Sequence, residues 1–130
     1  MKDMNPSEEY VFPKRGFKSK NRSLLAAMTN KQSHEDGTLS DEEITWLTRR
    51  AKDGFGIVTT AASHVSQLGK GWIGEMGVWS DDHLEGLTKL ASSLKQYGSL
   101  NLVQIFHGGM KAPFEINNVI PVCPSKMMNE

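Results

Sequence analysis

The chain has one cysteine, Cys123, among its 130 residues. No disulfide can form within it, which fits a reducing compartment and excludes a cystine-stapled fold. No apolar run approaches the ~20 residues that a membrane-crossing helix needs. An excess of one charge is also missing, since fifteen Lys and Arg balance fifteen Asp and Glu. That balance gives no electrostatic reason to expect nucleic acid or an anionic membrane as partner. The opening MKDMNPSEEY lacks the apolar centre of a signal peptide. The expectation is a soluble, cytoplasmic protein with no nucleic-acid and no membrane partner.

Other absences narrow the chemistry. The four histidines are spread without metal-ligand spacing, so no metal site is expected. His34 and His64 read as loop residues, and His107 as structural, bonding loop backbone through one ring nitrogen. No nucleophile, base and acid form a recognisable set, and no catalytic residue is assigned. Gly69-Lys70-Gly71 lacks the spacing of a phosphate-binding loop. Lys14, Arg15, Lys18, Lys20 and Arg22 form a basic cluster without a nucleic-acid motif, and it reads as a solvated segment. Trp72, Met76 and Trp79 read as packing.

What is present is an alternating pattern. Leu24–Thr29 is short, apolar and flanked by polar residues, as a strand is. Ser40-Asp41-Glu42-Glu43 has the form of a capping box, with the Ser40 hydroxyl on the Glu43 N–H and the Glu43 carboxylate reaching back. Ile44, Leu47 and Ala51 follow at helical spacing, and Gly54 stands where such a helix ends. Gly56–Ala62 is β-branched and reads as a second strand, followed by a long loop from Ser63 to Trp79. Ser80 caps a second helix whose expected buried stripe is Leu84, Leu87, Ala91 and Leu94, with Gly98 as its stop.

Leu100–Gly109 reads as a third, buried strand in which Gln104 interrupts an apolar run. An amide left unpaired in such a strand costs ~1–3 kcal/mol, so Gln104 needs a partner. At the C-terminal end of a parallel strand that partner is often a ligand. From Ala112 onward the prolines and asparagines suggest an excursion without regular structure. Strand–helix–strand–helix–strand, with near-continuous apolar strands, argues for parallel βαβ units.

These segments together resemble the old yellow enzyme family of FMN-dependent oxidoreductases. Asn21-Arg22 before Ala26-Ala27-Met28-Thr29 is similar to that family's first strand, and Gly56–Ser63 to its second. Gly77–Gly86 resembles the approach to its second helix, and Val103–Gly109 its third strand. The match runs in order from about Tyr10 to Ser125. It implies an α/β fold that is a partial (β/α)8 TIM barrel, comprising the first three parallel strand–helix units. Residues 1–20 would be an N-terminal extension, 21–111 the βαβαβ portion, and 112–130 an irregular tail with the barrel truncated.

The resemblance also implies roles. Ala26, Ala27, Met28 and Thr29 would lie against the isoalloxazine of FMN, and Ala62 would end the second strand where only a small side chain clears the ring. Gln104 would bind the pyrimidine edge, where a primary amide matches both a carbonyl acceptor and an N–H donor. NAD(P)H would be the reductant and a small molecule such as an activated alkene the acceptor. Many members have proline where Ala27 stands and arginine where Met110 stands. The family's substrate-carbonyl pair and its phosphate-binding loops belong to later strands, so the isolated chain is expected to bind FMN weakly or not at all. The alternative is a non-catalytic remnant that forms a homo-oligomer through an open sheet edge.

Overall fold

The computed structural model describes residues 5–125. In chain order it contains β1 (Tyr10–Val11), β2 (Lys18–Ser19), β3 (Leu24–Leu25), α1 (Asp41–Lys52), β4 (Ile57–His64), β5 (Met76–Gly77), α2 (Leu84–Lys95), β6 (Leu100–Phe106) and α3 (Phe114–Asn117). Short 3₁₀ turns occupy Gln67–Gly69, Asp81–His83 and Gly109–Lys111. The α/β architecture is the one expected, parallel strands joined by helices, and the described residues form no closed barrel.

β4 is the hub of the sheet. On one side it pairs in parallel with β6 along its whole length, from Ile57 opposite Leu100 to His64 opposite Phe106. Its other side is shared. β3 takes Ile57 and Val58, β5 takes Ser63 and His64, and Thr59–Ala62 have no strand partner there. The first strand is therefore much shorter than Leu24–Thr29 suggested, because Ala26 onward leaves the sheet. The loop expected from Ser63 likewise starts later, after His64, and contains β5.

α1 forms as its sequence dictates. The Ser40 hydroxyl accepts from the Glu43 N–H at 3.1 Å, and three acidic residues occupy the first turn. The reciprocal half of the capping box is not made. The Glu43 carboxylate is fully buried and instead accepts from Asn30 Nδ2 at 2.9 Å and from the Ser33 hydroxyl. Two neutral donors in a dry site hold a carboxylate better than one backbone N–H at the surface.

Ile44, Leu47 and Ala51 pack with Leu25, Val58, Leu90 and Leu94 in the core between the helices and the sheet. Each large apolar side chain buried there contributes ~1.5–3 kcal/mol. The stripe of α2 is rotated from expectation, since Leu90 is buried while Leu84 is 60% exposed. The Asp81–His83 turn precedes α2, so Ser80 caps that turn and Leu84 lies on the outer side of the following helix.

β6 also departs from expectation. It is not a buried strand: Leu102, Val103 and Ile105 are 46%, 47% and 73% exposed. Among the described residues β4 is its only strand neighbour, so one long edge faces outward. Around Ala112, which is buried, the chain forms a helical turn, α3, where irregular structure was expected. Residues 126–130 of the expected tail lie outside the described residues.

The N-terminal hairpin of β1 and β2 ties the two helices together. Lys20 Nζ donates to the carbonyl of Ala51 at 3.1 Å, in the last turn of α1, and to that of Tyr97 at 2.7 Å, just beyond the C-terminal end of α2. Arg22 stacks over Tyr10 at 5.0 Å. The basic cluster is thus only partly solvated.

Candidate functional site

The C-terminal ends of β3, β4 and β6 point the same way because all three are parallel. β4 lies between the other two. Gln104 of β6 stands directly across from Ala62 of β4. That pairing depends on a bulge. Between Thr59 opposite Leu102 and Ala62 opposite Gln104, β4 spends three residues where β6 spends two. Strict alternation would have placed Ala61 opposite Gln104.

The Gln104 side chain is exposed and makes no hydrogen bond among the described residues. Its carboxamide needs no ligand to satisfy it, since water reaches it, but it is free to take one. Ala62 is 7% exposed. Ala26, Met28 and Thr29 are exposed and Ala27 half-buried, on the stretch that departs from the other side of β4. The chain thus brings Ala62 and Gln104 into direct register, with Ala26–Thr29 continuing from the strand that flanks β4 on its far side. A shallow wall of backbone, one methyl and one free carboxamide suits a flat, nitrogen-rich ring, and these residues fit such a group. No group of three or more His, Cys, Asp or Glu among the described residues is placed to hold a metal ion.

Beyond this wall the loops build a second, buried feature that the sequence did not disclose. His64 ends β4 rather than lying in a loop, and it is 1% exposed. Its Nδ1 lies 3.9 Å from Oε2 of the equally buried Glu75, too far for a hydrogen bond. Glu75 Oε2 instead accepts from the Gly71 N–H at 2.6 Å. Burial lowers the His64 imidazolium to about 4, helped by the charges of Lys70 and His83. Burial raises the Glu75 carboxyl above its ordinary value, against the pull of the Gly71 and Trp72 backbone. Lys70 is buried as well, donating to the Glu35 carbonyl. His64, Lys70 and His83 line a cavity of about 420 Å³ together with Asp36, Trp79 and Asn117. No periodicity marks Glu75 or Lys70, because each is buried by long-range loop packing.

His107 behaves as its sequence position suggested: its Nδ1 accepts from the Gly109 N–H at 2.9 Å. The ring also packs on Gly69, where an added Cβ would lie 2.4 Å from it. Met76 is buried as expected, whereas Trp79 is 40% exposed.

A family model described as the NADH:flavin oxidoreductase / NADH oxidase family matches residues 15–130. A probable NADH-dependent flavin oxidoreductase of Bacillus subtilis (strain 168) is 38% identical over 117 residues, covering 87% of this chain and 31% of that protein. Among solved structures, the old yellow enzyme homologue from Zymomonas mobilis aligns with a TM-score of 0.84 at 27% identity, covering 92% of this chain and 33% of that one. A 2-naphthoyl-CoA reductase complex aligns with a TM-score of 0.81 at 33% identity, covering 88% and 17%. The chain spans about a third or less of the length of these relatives.

Proposed function

Because this chain belongs to the NADH:flavin oxidoreductase / NADH oxidase family, we propose that it supplies one wall of an FMN site in an NAD(P)H-oxidising flavoenzyme. Ala62 and the free carboxamide of Gln104, held opposite one another on β4 and β6, are the observation that carries this reading. Gln104 meets the pyrimidine edge with one acceptor and one donor. Ala62 leaves clearance for the ring, and Ala26, Ala27, Met28 and Thr29 flank it from the end of β3. Bound FMN supplies the hydride chemistry, with NAD(P)H as reductant and a small-molecule acceptor. The protein's part is to orient the ring and to shape its hydrogen-bonding surroundings. Residues 21–111 form the βαβαβ portion that does this, behind an extension over 1–20.

The test is an FMN titration of the chain followed by amide chemical shifts and flavin fluorescence. Weak binding is expected, with shifts concentrated at residues 26–29, 62 and 104 and negligible NADPH oxidation. FMN-induced shifts concentrated elsewhere, or a stoichiometrically yellow chain that oxidises NADPH, overturn the reading.

The exposed edge of β6 favours a second reading, a non-catalytic chain that self-associates. An unpaired strand edge with Ile105 73% exposed is a template for another strand. Gel filtration over a concentration series separates this from a monomer.

A further inference from the structure

We propose that Thr60 is a positioning residue whose hydroxyl locks the bulge in β4 and so sets Gln104 opposite Ala62. Its relevance to flavin binding rests on the reading above; its effect on register does not. The Gln104 N–H lies in the ladder with β4. Here it donates to Thr60 Oγ1 at 3.2 Å, and the same hydroxyl donates to the Ala61 carbonyl at 2.8 Å. One side chain is thereby inserted into the ladder as a bridge between the two strands.

The chemistry is specific. The bridge needs a group that accepts from an N–H and donates to a C=O at once, and among uncharged side chains of this size only a hydroxyl does both. Thr60 is 2% exposed, so water does not reach the gap that its loss would open. Ser63 steadies the same point, its hydroxyl donating to the Ala61 carbonyl at 3.0 Å. The Ser63 hydroxyl makes no bond to β6, so that side chain supports the bulge without spanning the strands. Without the Thr60 bridge the Gln104 N–H loses this partner, and the Ala61 C=O keeps only the Ser63 hydroxyl. The remedy open to the chain is to expel the extra residue, which would move Ala61 into the place of Ala62.

Thr60→Val removes the hydroxyl and keeps the shape, and Thr60→Ser restores the hydroxyl. Amide hydrogen exchange and strand-to-strand NOEs on the whole chain give a readout that needs no ligand. In Thr60→Val the Gln104 amide should exchange about tenfold faster, while Leu102 and Phe106 amides stay near wild type. The NOE contacts joining residues 62 and 104 should vanish, and the FMN-induced shift at Gln104 with them. Thr60→Ser should return all three.

Unchanged exchange at Gln104 in Thr60→Val overturns the proposal. So does faster exchange spread evenly over β6, which is loss of the strand rather than of its register. If wild type shows FMN shifts away from residues 26–29, 62 and 104 while exchange and NOE contacts respond as stated, the flavin reading falls and the lock stands.

Discussion

His64 and Glu75 lie side by side in the dry interior, Nδ1 and Oε2 3.9 Å apart, with no hydrogen bond joining them. The remaining Glu75 oxygen, Oε1, has no partner either. Two ionisable groups in a dry place resist charging in opposite directions, and their effects on stability have opposite signs. The unfolded chain protonates His64 near 6.5, the folded chain near 4. Stability is therefore lost as pH falls from about 6.5 to about 4, by at most about 3 kcal/mol. Glu75, raised by burial, costs stability as pH rises through 4.5 and above. Glu75→Gln removes the second trend only. Urea unfolding between pH 4 and 8 should show the variant gaining over wild type at pH 8 and falling more steeply on acidification. Parallel profiles would refute the account.

Gln104→Leu separates recognition from folding. The side chain is exposed and unbonded, so the melting temperature should stay within about 2 °C of wild type, as surface changes of ±0.5 kcal/mol do. FMN affinity should drop about tenfold, the worth of one or two hydrogen bonds. An unaltered titration curve would remove Gln104 from the site.

Glu43 is a structural residue in a position that sequence alone reads as capping. Glu43→Ala should cost about 3 kcal/mol in urea unfolding, because Asn30 and Ser33 lose their acceptor inside the protein. Ser40→Ala should cost only about 1 kcal/mol, the usual worth of an N-cap. A larger loss in Ser40→Ala than in Glu43→Ala would mean that the cap, and not the buried carboxylate, dominates.

Lys20 bonds a carbonyl in the last turn of α1 and one just beyond the end of α2. Lys20→Met keeps the aliphatic stem and removes the charge, and about 2 kcal/mol should go with it. Thermal unfolding measures the loss. A variant as stable as wild type would show that the bridge is idle.

Ile105→Lys tests the open edge. Sedimentation of wild type at rising concentration should show self-association that the charge on this edge reduces. A monomer at every concentration in both chains would leave the second reading without support.

Helix α1 and the singular place of Gln104 in its strand were legible because they rest on local spacing. Ser40, Ile44, Leu47 and Ala51 announce α1 within twelve residues, and Gln104 breaks its apolar run visibly. The bulge was not legible, since Thr59–Ala62 reads as plain strand until β6 is laid beside it. Leu102 and Ile105 read as core for a related reason: hydrophobicity says that a residue seeks cover, not whether a neighbour supplies it. The burial of Lys70 and Glu75 is set by loops that meet only after folding, and no periodicity records it.

Along β4, four consecutive residues go without a companion on the side that β3 and β5 divide between them. A sheet with such a notch offers main-chain atoms at its margin. Recognition written in main chain cannot be erased by exchanging side chains. Sequences that diverge at Ala27 or Met28 can therefore keep the same notch, and drift at those two positions is a poor guide to whether a guest still fits.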